Sequence, residues 1–143
     1  MPLQAAFLLP SIHGILSRGV EPPEYGQTIL PHCVIVAPTR ELVSQIHIQA
    51  KKFSNGTDVH AQVVYGGTHV MTQLTRLRNG CELLVGTPGR LLHFLTKGEV
   101  RNRYYSLACQ YYKTILSKTN CGSDTAVRQS LQLLTTFSAA TSY

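Results

Sequence analysis

Apolar positions along this chain switch between two periods. Over residues 5–16, Phe7, Leu8, Ile12, Ile15 and Leu16 recur at helical spacing. Pro10 among them predicts a kink or a restart, because proline lacks an amide and crowds the carbonyl one turn back. Residues 17–31 hold Gly19, Pro22, Pro23, Gly26 and Pro31, the punctuation of a surface loop. Residues 33–37 are an unbroken apolar run rich in β-branched side chains, which suits a strand covered on both faces. After Pro38-Thr39, a helix over 41–53 would place Leu42, Ile46, Ala50 and Phe53 on one face. The pattern then repeats. A strand over 61–65 leads through Gly66-Gly67 to a helix over 70–77, with Val70, Leu74 and Leu77 inward. A strand over 82–85 leads through residues 86–89 to a helix over 90–96.

Strands and helices alternating at these spacings predict an α/β fold with a right-handed parallel sheet. Ligands of such sheets sit on loops beyond the carboxyl ends of the strands. Here those loops are residues 38–40, 66–68 and 87–90. After Val100 the character changes. Residues 101–143 contain twelve Ser or Thr and the single acid Asp124; a helix over 126–137 is the one element the pattern suggests there.

Composition narrows the class. With 43% hydrophobic and 14% charged residues, the chain reads as globular rather than disordered. No apolar stretch nears the ~20 residues of a membrane span, and no basic stretch precedes the apolar segment near the N-terminus, so an intracellular protein is expected. The four cysteines include no C-x-x-C pair and the six histidines no H-E-x-x-H, so reduced, partly buried thiols are expected rather than a metal centre. The net charge of +6 is unevenly spread: eight Lys/Arg against six Asp/Glu up to Val100, and five against one beyond. A nucleic-acid site in the first part must therefore work through local groups, not a broad basic face.

Two of the loops have the right local groups. Pro38-Thr39-Arg40-Glu41-Leu42 follows a strand and opens a helix. A helix N-terminus offers free amides and a positive dipole end, and Arg40 adds a donor fork, a combination suited to phosphate. Thr87-Pro88-Gly89-Arg90 repeats the construction one strand later, with Pro88 setting the first turn. Gly66 and Gly67 let the loop between them approach a ligand closely. Each loop alone is more often an ordinary strand-to-helix turn.

Taken in order, P-T-R-E-L, then Tyr65-Gly66-Gly67, then T-P-G-R, each at a strand end, resemble the DEAD-box ATP-dependent RNA helicases. Residues 5–10 (A-A-F-L-L-P) are similar to the helix after that family's phosphate loop. Lys51-Lys52-Phe53 and residues 80–85 (G-C-E-L-L-V) are similar to its vasa-like subgroup. The resemblance covers residues 5–100 and implies a partial, incomplete RecA-like sheet of P-loop NTPase type, with residues 101–143 a divergent tail of no recognisable domain. It also implies that Pro38, Thr39, Arg40, Glu41 and Leu42 match motif Ia, Gly66 and Gly67 the GG motif, and Thr87, Pro88, Gly89 and Arg90 motif Ib. In the family these motifs line the path of one RNA strand and hold its phosphates.

The resemblance also implies ATP and Mg²⁺ for the full-length family, yet the residues that would hold them are missing. No Gly-Lys dipeptide, no pair of adjacent acids and no adenine-reading Q motif occurs in the sequence, whereas a P-loop and a metal-holding acidic motif need them. The expectation is a chain with no catalytic residues, no cofactor and no metal of its own, binding RNA weakly and without sequence preference. A non-catalytic RNA- or protein-binding module and a non-functional truncated product remain as alternatives. A sheet lacking the family's neighbouring strands is further expected to be marginally stable, with unpaired edges.

Overall fold

In the computed structural model, residues 2–20 and 28–100 are described; the helix expected over 126–137 lies outside them. The described chain runs α1 (Pro2–Arg18), β1 (Cys33–Val36), α2 (Arg40–Phe53), β2 (Ala61–Val64), α3 (Val70–Arg78), β3 (Leu83–Gly86) and α4 (Pro88–Thr96). The three strands form one parallel sheet in the order β1-β3-β2. Leu83 in the middle faces Cys33 on one side and Ala61 on the other.

That order explains the layering. The chain crosses from β1 to β2, skipping one place, and then steps back to β3. Right-handed crossovers made in opposite directions put their helices on opposite faces of a sheet. Leu8, Ile12 and Ile15 of α1 and Val43, Ile46 and Ala50 of α2 accordingly pack with Cys33, Ile35, Leu83 and Val85. Leu74 and Leu77 of α3 and Leu91 and Phe94 of α4 pack with Val34, Val64 and Leu84 on the other side. The middle strand is buried throughout, which is why its sequence is apolar without alternation.

Three details differ from the sequence pattern. Helix α1 runs unbroken through Pro10. The ring and Ala6, whose carbonyl loses its partner, are both solvent-exposed, and burial of Leu8, Ile12 and Ile15 holds the helix across the gap. Helix α2 turns Val43 inward with Ile46 and Ala50, while Leu42 is half-buried and Phe53 exposed. Helix α3 buries Gln73 beside Leu74 and Leu77. Element ends shift by a residue or two, and α4 opens at Pro88 rather than Arg90.

One glycine is needed for the packing at the ligand end. A Cβ on Gly86 would stand 2.6 Å from Val64 Cγ2 and 2.8 Å from Leu91 Cγ. Without a side chain there, α4 lies close against the sheet. Cys33 and Cys81 are buried free thiols, and burial, with Glu82 and Cys33 nearby, pushes the Cys81 thiol well above its ordinary value. At the opposite edge of the sheet from the loops, the buried carboxylate of Glu82 accepts from the His60 amide at 2.6 Å and contacts His60 Nδ1 at 3.0 Å.

Candidate nucleic-acid interface

The loops after β1, β2 and β3 emerge side by side at the carboxyl edge of the sheet, because all three strands run parallel. Backbone bonds tie them there: the Ala37 amide donates to the Gly86 carbonyl at 3.1 Å and the Thr87 amide to the Val64 carbonyl at 3.0 Å.

In the first loop Thr39 is the N-cap of α2. Its backbone is extended, and its Oγ1 accepts from the Leu42 amide at 3.2 Å. The cap satisfies one orphan donor of the first turn, and the amides of Arg40 and Glu41 remain without an intrahelical acceptor. Thr39, Arg40 and Glu41 are exposed, whereas Pro38 and Leu42 are half-buried and Leu42 packs on the core. The Glu41 carboxylate complements the dipole at this helix end and so competes with any incoming phosphate.

In the second loop only one of the two glycines is conformationally special. Gly67 has φ +80° and lies beneath Arg40: a Cβ there would be 3.0 Å from Arg40 Nη1. Gly66 is exposed, with open space around it. The Arg40 guanidinium stands 4.8 Å from the centre of the Tyr65 ring, a cation–π contact. The first and second loops are thereby joined.

In the third loop Thr87 is the N-cap of α4, Pro88 fills the first turn, and the Thr87 hydroxyl makes no capping bond. Pro88 is buried and Gly89 exposed. Arg90 is half-buried. Its Nη2 donates to the Thr68 carbonyl at 3.1 Å, and its guanidinium lies 6.0 Å from the Phe94 ring. Its Nη1 is enclosed with no acceptor among the described residues. Arg90 thus joins the third loop to the second.

All the residues expected from the sequence come together at this edge, but in different roles. Pro38, Leu42 and Pro88 pack; Thr39, Arg40, Glu41, Gly66 and Gly89 are exposed; Thr87 is half-buried at the start of α4; Gly67 shapes; Arg90 bridges. The sequence pattern did not single out Thr68 or Gln73. Gln73 is three residues after Val70 and four before Leu77, so its place on the inward face was legible, though not its partners. Among the described residues no three His, Cys, Asp or Glu side chains gather as metal ligands, and no helix is long and apolar enough to cross a membrane.

The family pattern of DEAD/DEAH box helicases matches residues 5–138 of this chain. The match therefore continues past Val100. Over 96 residues the chain is 44% identical to the human probable ATP-dependent RNA helicase DDX4, covering 67% of this chain and 13% of that protein. It is 45% identical over 102 residues to the probable ATP-dependent RNA helicase ddx3 of Dictyostelium discoideum, covering 67% of this chain and 14% of that one. Among solved structures, the yeast DEAD-box splicing factor Prp28 aligns with 96% of this chain and 30% of its own, at a TM-score of 0.67 and 26% identity. The DEAD-box helicase Mss116 bound to ssRNA and UDP-BeF aligns with 66% of this chain and 19% of its own, at a TM-score of 0.55 and 26% identity. The chain thus spans about one-seventh of the length of these sequence relatives.

Proposed function

Because the chain belongs to the DEAD/DEAH box helicase family, we propose that its three carboxyl-edge loops grip the phosphate backbone of one RNA strand as part of a helicase core. The observation that carries this reading is the joining of the loops into one surface, by Arg40 over Tyr65 and by Arg90 to the Thr68 carbonyl. Two helix N-termini open on that surface, with the Thr87 hydroxyl and the exposed Arg40 beside them. Amides, hydroxyls and guanidinium groups hold phosphates and sugars, and such contacts position a strand without reading its sequence. Unwinding that is blind to sequence needs contacts of that kind. The relative Mss116, solved with ssRNA bound, supports RNA as the ligand.

The ATP and Mg²⁺ of the family's reaction do not fit the described residues. The Glu82 carboxylate is engaged by His60 and that of Glu99 by Arg78, and among the described residues no three acidic, His or Cys side chains gather. Nowhere in the sequence does Gly-Lys occur or do two acids adjoin. Phosphoryl transfer depends almost wholly on positioned metal and phosphate ligands. This chain alone is therefore expected neither to bind nor to hydrolyse ATP. A calorimetric titration with Mg·ATP that revealed a saturable micromolar site would overturn that expectation.

RNA binding is tested by fluorescence anisotropy with single-stranded RNA of mixed sequence. The expected dissociation constant lies in the weak non-specific range of roughly 10⁻⁴ to 10⁻⁶ M, with a salt slope of about 0.7 per phosphate held. Substituting both Arg40→Ala and Arg90→Ala should weaken it. Five cations in residues 101–143 (Arg101, Arg103, Lys113, Lys118 and Arg128) are the competing source of affinity. If the double variant binds like the parent while neutralising those five abolishes binding, the three-loop reading is wrong.

A further inference from the structure

Gln73 occupies a place where a helix packed on a sheet ordinarily carries an apolar side chain, and it is 5% exposed. A primary amide so buried is costly unless its donor and acceptor ends are both bonded. Here both are. Gln73 Oε1 accepts from the Tyr65 amide at 3.2 Å, and Nε2 donates to the Tyr65 carbonyl at 2.9 Å. Nε2 also donates to Thr68 Oγ1, whose own hydroxyl donates to the Tyr65 carbonyl at 3.3 Å.

The geometry of β2 shows what this amide replaces. The carbonyls of His60 and Val64 accept from Glu82, Leu83 and Thr87, so the even-numbered residues of this segment turn their polar groups toward β3. In a parallel strand the odd-numbered residues then turn theirs the other way. Tyr65 therefore presents its N–H and C=O to the outer edge, where no strand lies among the described residues. The Gln73 side chain pairs with both, much as the peptide of a further strand would. It ends the strand and holds the next four residues in one shape.

Both arginines of the surface rest on those residues. Arg40 stands on the Tyr65 ring, and Arg90 donates to the Thr68 carbonyl. From this convergence we infer that Gln73 is a positioning residue for the RNA-gripping surface: one buried amide sets where Arg40 and Arg90 stand. The inference rests on the proposed RNA reading for its functional meaning and on the hydrogen-bond network for its geometry.

The experiment compares the full chain with Gln73→Met, which keeps the volume and apolar contacts of the side chain and removes its hydrogen bonds. Two-dimensional NMR reads the guanidinium Nε–H signals of Arg40 and Arg90, with the amides of Val34 and Leu84 reporting the sheet. Anisotropy reads affinity for single-stranded RNA. In Gln73→Met both arginine signals should move while the sheet amides stay, and RNA affinity should fall about tenfold, as when a charge-assisted contact is no longer held in place. Arginine signals left at their parent positions in a folded Gln73→Met protein would overturn the inference, as would undiminished affinity in a chain whose Arg40→Ala variant binds weakly. Should the variant fail to fold, the parent decides. Its Tyr65 amide should exchange slowly although no strand among the described residues flanks it, and exchange at the rate of a free amide overturns the inference. If Arg40→Ala/Arg90→Ala binds RNA like the parent, the RNA reading falls by itself and the arginine signals still judge Gln73.

Discussion

Gly66 and Gly67 are adjacent and chemically identical, so alanine at each isolates what the backbone demands. Gly67 lies in the left-handed region at φ +80°, and an added Cβ would approach Arg40 Nη1 to 3.0 Å. Gly66 has no such φ and nothing within 4 Å of an added Cβ. A left-handed backbone costs a non-glycine residue roughly 1–2 kcal/mol. The clash adds little, because the obstructing atom ends a flexible, exposed side chain. Stiffening of the unfolded chain by Gly→Ala gains about 0.4–1 kcal/mol where the native conformation is compatible. That gain is common to both variants and cancels between them. Gly67→Ala should therefore be less stable than Gly66→Ala by roughly 1–2 kcal/mol. At about 4–8 °C per kcal/mol for a domain of this size, the two melting midpoints should be clearly resolved by circular dichroism. Gly66→Ala should melt at or slightly above the parent. Coincident midpoints for the two variants would refute the assignment of the strained position.

Two further outcomes follow from single contacts. Thr39→Ala removes the oxygen that accepts from the Leu42 amide and should cost about 1 kcal/mol in urea unfolding, with Thr39→Ser restoring most of it; an unchanged midpoint would mean that the cap contributes nothing. Burial holds the His47 imidazole below its ordinary value of 6.5, helped by Lys51 and Arg76 and opposed by its hydrogen bond to the Ala61 carbonyl. As the pH falls, the unfolded chain then takes up this proton before the folded one. Stability is complete above about pH 6.5, declines as the pH drops toward the lowered folded value, and levels off below it. His47→Gln should lose less stability than the parent between about pH 7.5 and about pH 5, and parallel losses would contradict this.

Much of the fold was legible because the signals were redundant. The runs at 33–37 and 83–85 are apolar without alternation, and strand–helix repetition dictates a parallel sheet whose loops share one edge. What was not legible depends on contacts between elements. Leu42 and Val43 are both apolar neighbours, so the stripe through Leu42 and Phe53 was as acceptable as the one through Val43. The sheet decides, by covering Val43, Ile46 and Ala50. Pro10 reads as a break locally, yet the packing of α1 overrides it. The vasa-like similarity and the local physics of helix ends both pointed to the same three loops. Neither revealed Gln73, whose role exists only once the outer edge of β2 is visible.

The two arginine motifs show most clearly where sequence reasoning stops. Arg40 and Arg90 stand in the same construction, each in the first turn of a helix after a strand, and the sequence gives no reason to rank them. The structure does. Arg40 is exposed, and beyond its contact with the Tyr65 ring its guanidinium donors make no hydrogen bond among the described residues, which leaves them open to a phosphate. Arg90 is half-buried, with Nη2 committed to the Thr68 carbonyl and Nη1 enclosed. To take a phosphate with those groups, Arg90 must first release Thr68, and an ordinary hydrogen bond of that kind is worth about 0.5–1.5 kcal/mol. Its effective contribution to binding is smaller by that amount, between twofold and roughly tenfold in affinity. Arg40→Ala should therefore weaken RNA binding more than Arg90→Ala, and Arg90→Ala should show the larger loss of thermal stability, because it removes a hydrogen bond from a half-buried guanidinium whereas the exposed Arg40 gives up only its contact with the Tyr65 ring. Paired anisotropy and melting measurements on the single variants test both halves. The opposite ranking in affinity would mean that Arg90 leaves Thr68 without cost when RNA arrives.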